Sequence, residues 1–293
     1  MFKLLNRKEI DENKWEKCVN HNSQLPNLYA NTWFLDAVSP HWKAAVWGDY
    51  ETVFPLPIKF KWRFLPYLAQ PLFTQQLGFW GNQLNEIELI DFRKYLKFNF
   101  LIVDIQLNEH NSWVTFKSNI RRNICLNIKE NFANEYSTNL SRNIKKAIKN
   151  QLLIEQYFDF NFIIDFFINE KDAEFNLNTE LKQTYISLIN NLKKIDIVTG
   201  LVCKLPNNEI VAVGIFVKWG NRIVFLMGTS NKAGRENGAM HFLIDSAIRN
   251  LANIGDVFDF EGSMNDNLAK FYLSFGAKEC PYYVYKHSFF NFH

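Results

Sequence analysis

The chain has 293 residues and 34.6 kDa, with 47% hydrophobic and 22% charged residues. That composition excludes a disordered chain and suits one large domain or two of ordinary size. Its 33 basic and 30 acidic side chains leave a net charge of +3, too near balance to draw the whole molecule onto nucleic acid or anionic lipid, although a local basic face stays open.

Cys18, Cys125, Cys203 and Cys280 are isolated in sequence. They form no Cys-x-x-Cys and none stands beside a histidine at metal-ligand spacing, so reduced thiols and no metal are expected. Met1 to Trp15 has no apolar run of signal-peptide length, and no stretch approaches the ~20 apolar residues of a spanning helix. A soluble, cytoplasmic protein is expected.

In chain order, Asn31 to Val38 predicts a short helix ended by Pro40. Ala44 to Trp47 and Val53 to Lys61 predict strands joined by a Gly48-Asp49 turn, with Pro55 and Pro57 demoting the second to an edge or irregular strand. Glu86 to Leu96 predicts a helix, and Phe100 to Gln106 and Trp113 to Phe116 predict strands. Ser137 to Asn150 predicts an amphipathic helix. Its Leu140, Ile144, Ala147 and Ile148 fall on one side, and Arg142, Lys145, Lys146 and Lys149 on another at i, i+3, i+4 and i+7. Two helices follow, Phe158 to Glu170 and Thr179 to Leu192, then a three-strand meander: Ile197 to Leu205, Ile210 to Trp219 and Arg222 to Met227. Its turns are marked by Pro206-Asn207-Asn208 and Gly220-Asn221. Gly238 to Asn253 predicts a strong helix stopped by Gly255, Val257 to Phe260 a short buried strand, Asn265 to Phe275 a helix stopped by Gly276, and Cys280 to His287 a last strand. Tight turns make the meander antiparallel, and the helices between the later strands allow a parallel pair.

That order, with its residues, resembles the GNAT acyltransferase fold. Arg235-Glu236-Asn237-Gly238-Ala239 is similar to the family's Arg/Gln-x-x-Gly-x-Gly/Ala pyrophosphate loop, with Met240 as a departure at the last position. Asn265-x-x-Leu268-x-x-Phe271-Tyr272-x-x-x-Gly276 resembles its Asn-x-x-Ala-x-x-(Leu)-Tyr-x-x-x-Gly-Phe motif, with Leu268 for the usual Ala and Ala277 for the usual Phe. Phe258-Asp259-Phe260-Glu261-Gly262-Ser263 resembles a strand end of the Fem-type aminoacyltransferases, tandem GNAT-like proteins of peptidoglycan synthesis. Leu140 to Ala147 looks like the helix that opens their second domain, and Pro71 to Gly78 carries a fainter likeness to Fem-like bacterial proteins.

The resemblance implies a mixed α/β chain of two tandem GNAT-like domains: residues 1–136, a degenerate copy, and residues 137–293, whose last strand can pair with the first domain. It implies an N-acyltransferase that passes an acyl or aminoacyl group from acyl-CoA or aminoacyl-tRNA to a primary amine, such as that of a cell-wall precursor. By the same resemblance Tyr272 stands where the family places the proton donor to the leaving group. Glu261 and Asp259 follow a buried strand, where burial lifts a carboxyl toward a general base's range. Arg235, Asn237, Gly238, Ala239 and Asn265 are the candidate carrier-binding residues. Phosphates are gripped by backbone N–H groups at a helix start, and Gly238 allows close approach. The basic face of Arg142, Lys145, Lys146 and Lys149 is a candidate site for a nucleotide diphosphate or a tRNA acceptor stem. His241 directly follows the loop and reads as half-buried. Two other readings stay open: a non-catalytic GNAT-like protein that holds an anionic, nucleotide-linked ligand, and a nucleic-acid binder that uses the basic helix.

Overall fold

The structure is a computed structural model and describes residues 1–21, 27–62, 64–175 and 179–289. The chain forms two compact units, residues 1–122 with 281–293, and residues 123–280.

The first unit contains β1 (Phe2–Asn6), α1 (Glu12–His21), α2 (Thr32–Val38), β2 (Lys43–Trp47), β3 (Thr52–Leu56), β4 (Ile58–Lys61), β5 (Leu65–Ala69), β6 (Trp80–Gly81), α3 (Glu86–Asn99), β7 (Ile102–Gln106) and β8 (Asn119–Arg121). The second contains β9 (Ile124–Asn127), α4 (Thr138–Lys149), β10 (Leu153–Gln156), α5 (Phe160–Phe175), α6 (Thr179–Lys194), β11 (Val198–Lys204), β12 (Ile210–Trp219), β13 (Arg222–Ser230), α7 (Lys232–Asn237), α8 (Ala239–Leu251), β14 (Val257–Asp259), α9 (Asp266–Leu273) and β15 (Lys278–Glu279). The chain then returns to the first unit as β16 (Tyr282–Ser288).

The first unit holds two sheets, β1-β2-β3-β6 and β4-β5-β7-β16-β8. The predicted run Val53 to Lys61 breaks at Pro57 into β3 and β4, which belong to different sheets. Pro55 is tolerated inside β3 because β6 pairs only with Thr52 and Val53, leaving no donor demanded at the proline. Trp113 to Phe116 is not a strand; Val114 closes a short turn of helix by donating to Asn111 O. Aromatic rings fill this core: Phe54 meets Phe79 at 4.8 Å and Phe92 at 4.9 Å.

The second unit is built on one seven-stranded sheet, ordered β10-β11-β12-β13-β14-β9-β15, in which only β13 and β14 run parallel. The meander β11-β12-β13 stands as the turn signals predict. Helices α4, α8 and α9 pack on one face, around Leu140, Leu243, Ile244, Phe258, Phe260 and Phe275. Helices α5 and α6 lie against β11, β12 and β13. The sequence reading divides the chain after Tyr136; the compact units divide after Arg122, because β9 lies between β14 and β15 and belongs to this sheet. The last strand, β16, pairs with β7 and β8 of the first unit.

Candidate functional site

Two strands that leave a sheet at different points create the site. β13 pairs with β14 only from Arg222 to Val224, while it continues beside β12 as far as Ser230. After Asp259 the chain turns toward β9, and Phe260 N–H donates to Ile124 O at 3.0 Å. The edge of β13 from Phe225 onward is thus released by β14. A bulge shifts the β12–β13 register at this point, between the pairs Ile215–Met227 and Phe216–Phe225, and bulges bend a strand away from its neighbour.

A cavity of about 290 Å³ opens beside this splay. β13 lends it Phe225, Gly228, Thr229 and Ser230; α7 and α8 lend Gly234, Arg235, Met240 and His241; α9 lends Leu268, Phe271 and Tyr272; and Lys171 comes from α5. The walls are mixed: aromatic and aliphatic surface, hydroxyls, and the two cations Lys171 and Arg235.

Tyr272 is buried and packed on Phe260 at 4.9 Å and edge-on to Phe225 at 6.3 Å. Burial pushes its phenol well above the ordinary value, and the nearby Glu261 carboxylate pushes in the same direction. The group is a protonated acid at neutral pH, as a donor to a leaving group must be. Asn265 sets the helix that carries it. Its side-chain oxygen accepts from Asn267 N–H at 2.9 Å and Leu268 N–H at 3.2 Å, an N-cap that fixes the start of α9. Glu261 has a left-handed backbone, φ 56°, beside Gly262 at φ 57°. Its N–H donates to Asp259 Oδ1 at 2.8 Å.

His241 stacks edge-on to Phe271 at 4.9 Å, and burial lowers its pKa to about 4. It is a neutral imidazole at physiological pH. The sequence reading placed it beside the loop but missed its place in the cavity wall. Lys171 was missed as well, because a cation one residue past the predicted helix end carries no local signal of a cavity.

The Arg235–Ala239 run does not form the expected open loop. It is the end of α7 and a joint into α8, and amides on the α7 side bond locally: Gly234 N–H goes to the Asn231 side chain at 2.8 Å, Arg235 N–H to Asn231 O at 3.0 Å, and Gly238 N–H to Arg235 O. Gly238 is required by packing. Its φ is +72°, and a Cβ there would lie 2.6 Å from Asn143 O on α4. Asn237 accepts from Asn150 Nδ2 at 2.7 Å, and Ala239 is fully buried in the core. Of this run only Arg235 lines the cavity, with its Nη1 donating to Ser230 O at 2.5 Å.

Asp259 is also placed away from the cavity. It is fully buried, with Arg222 Nη1 donating to Oδ2 at 2.9 Å and Asn123 Nδ2 at 3.3 Å. Alternation along β14 sends Phe258 into the helix-covered core and Asp259 to the other face, and beyond the strand Glu261 turns left-handed. Arg142, Lys145, Lys146 and Lys149 are exposed on α4 and do not line the cavity. Leu140 and Ala147 are buried and Ile144 packs on the core, whereas Ile148, expected with them, is exposed.

No family model matches the sequence, and no curated protein matches it. Solved structures do. FemX superposes with a TM-score of 0.65 at 12% identity, covering 97% of both chains. The chain is tandem GNAT-like in fold. A conserved protein of unknown function from Bacteroides thetaiotaomicron gives 0.63 at 12% identity over 97% of this chain and 98% of that one. The C-terminal domain of a candidate lysylphosphatidylglycerol synthetase from Agrobacterium fabrum gives 0.59 at 12% identity over 94% and 90%. The Fem-type and GNAT likeness read from Phe258–Ser263 and Asn265–Gly276 is therefore matched in three dimensions along nearly the whole chain. Among the described residues, no helix is long and apolar enough to cross a membrane, and no cluster of metal-ligating side chains occurs.

Proposed function

We propose that this protein is an N-acyltransferase that takes an acyl or aminoacyl group from an activated carrier and gives it to a primary amine. The observation that carries the reading is the meeting of the β13–β14 splay with the phenol of Tyr272 in one cavity. The released edge of β13 offers backbone groups to an extended carrier arm, much as a sheet edge receives an added strand. Lys171, and Arg235 with Glu170 3.6 Å from its Nη1, are the cations in the cavity wall that a carrier's phosphates would meet. The neutral amine forms the new C–N bond at the carrier's carbonyl, and the C–S or C–O bond to the carrier breaks as Tyr272 gives its proton to the departing atom. The nitrogen releases its surplus proton to water, and the Tyr272 phenolate regains a proton from water. Glu261 acts on Tyr272 through its charge, helping to keep the phenol protonated.

Both an acyl thioester such as acyl-CoA and an aminoacyl-tRNA ester suit this chemistry. The amides spent within α7 weaken the grip expected for a CoA pyrophosphate. One further reading, a non-catalytic protein that holds an anionic carrier or a UDP-linked cell-wall precursor, draws on the candidate base Asp259 being paired with Arg222 away from the cavity. The test is turnover of labelled acyl-CoA and aminoacyl-tRNA with amine acceptors, alongside thermal-shift titration with CoA, acetyl-CoA and a UDP-linked muropeptide. We expect transfer from one donor, with kcat reduced by about 10² or more in Tyr272→Phe. Full turnover in that variant sinks the assignment of Tyr272, and binding without donor consumption selects the non-catalytic reading.

A further inference from the structure

The β4–β5 hairpin of the first unit breaks the rule that large rings are covered. From Lys59 the sequence alternates cation and aromatic as far as Phe64. Phe60, Trp62 and Phe64 are 56%, 69% and 68% exposed. Lys61 holds its ammonium 4.9 Å from the centre of the Trp62 ring. Trp62 itself has φ +51°, a left-handed backbone that a bulky side chain adopts only at a cost. Such a cost is often retained where function requires the geometry.

The sheet register gathers more apolar surface at the same end. Lys61 pairs with Leu65, and Leu68 pairs in parallel with Val103, so the hairpin turn lies level with the start of β7. Ser288, the end of β16, pairs with Ile102. Leu101 N–H donates to Pro66 O at 3.1 Å, and Phe289 N–H donates to Leu101 O at 2.9 Å. Phe98, near the end of α3, and Phe289 are both exposed. Four exposed rings, Phe60, Trp62, Phe64 and Phe289, thus stand at one end of one sheet, and Phe98 lies in the last turn of the helix that leads into it. Arg93 and Lys97 act electrostatically on His287 there, adding positive charge to that of Lys59 and Lys61.

We propose that this end of the five-stranded sheet docks on the surface of an anionic lipid bilayer. Aromatic side chains bind the boundary between headgroup and hydrocarbon, while lysines reach back to the phosphates on their flexible stems. The occupant follows from the side chains. Phe and Trp rings in this number present apolar area that hydrocarbon satisfies, and the cations between them complement acidic headgroups. A nucleic-acid surface needs a wide positive field to gather a polyanion, whereas the charge of this chain is nearly balanced. A peripheral contact of this kind needs no spanning helix.

The test is sedimentation of the full-length protein with vesicles of phosphatidylcholine alone and of phosphatidylcholine with phosphatidylglycerol in equal parts. Binding is expected to the mixed vesicles and to weaken as salt rises. Trp62→Ser with Phe64→Ser is expected to lower the partition coefficient by about tenfold or more. Lys59→Gln with Lys61→Gln is expected to remove the preference for phosphatidylglycerol while retaining the weaker binding to neutral vesicles. Far-UV circular dichroism and thermal unfolding should be unchanged in both, and donor turnover in solution should be unchanged, which separates this surface from the cavity of the second unit. Equal partitioning of the wild type and the Trp62/Phe64 variant overturns the proposal. Capture of single-stranded RNA or tRNA, or self-association through the hairpin, without vesicle binding also overturns it.

Discussion

Arg222 and Asp259 bring opposite charges together where water does not reach, with exposures of 1% and 0%. Removing one partner breaks this buried ion pair. Asp259→Asn is expected to cost ~3–5 kcal/mol of stability, read from urea unfolding, while replacing both partners with apolar residues of similar volume should recover most of it. His241 answers to pH instead. Its folded pKa, lowered to about 4, lies below the ordinary 6.5, so between these values the unfolded chain binds a proton that the folded chain refuses. The stability is fully present above pH 6.5 and is lost as pH falls toward 4. The loss is at most ~3 kcal/mol, and His241→Gln should flatten that part of a pH–stability curve. These two residues also mark what sequence can show. The helix that carries Tyr272 was legible because Asn265 and Gly276 bracket it at a spacing set by one helix and its caps. Asp259 was misread because Arg222 stands 37 residues away, a distance that only the parallel β13–β14 pairing closes.

At the scale of elements, the joint between α7 and α8 connects the cavity-lining residues Arg235 and Met240. Gly238 combines a left-handed backbone with close approach to Asn143, and both requirements exclude a side chain. Gly238→Ala is expected to lower stability by ~1–2 kcal/mol and to shift α4 against α8. Thermal unfolding checks the first expectation. A drop in carrier affinity, with kcat little changed, checks that the rim and not the phenol is disturbed. The meander was legible since Pro206-Asn207-Asn208 and Gly220-Asn221 punctuate it and its strands pair with near neighbours. α7 was not legible. Arg235–Ala239 suits a loop or a helix equally well until Asn231 caps the chain and α4 presses on Gly238. The Phe-rich hairpin was missed for another reason: in a chain with 28 Phe, alternation alone does not separate a strand that faces a core from one that faces outward.

For the whole molecule, the informative strand is β16. It lies between β7 and β8 in the five-stranded sheet, so the first unit contains both early and late sequence. Its long-range pairing with β7, from Val284–Gln106 to Ser288–Ile102, was only partly legible. The strand itself showed in the apolar run after Cys280, and the resemblance allowed it to pair with the first domain, but β7 and β8 could not be named as its neighbours because pairing between distant segments leaves no local trace. Truncation after Cys280 is expected to unfold the first unit while the seven-stranded sheet of the second survives. Limited proteolysis followed by mass mapping should then find residues 123–280 protected and residues 1–122 cut.

The same strand sets a timetable for the nascent polypeptide. Before β16 is made, the central segment already possesses its seven strands, whereas the segment made earlier must wait, its sheet gapped beside β7, until β16 emerges. Synthesis order and maturation order are therefore reversed, and any pause before β16 emerges prolongs the interval in which an unfinished sheet edge lies open to chaperones or to neighbouring chains.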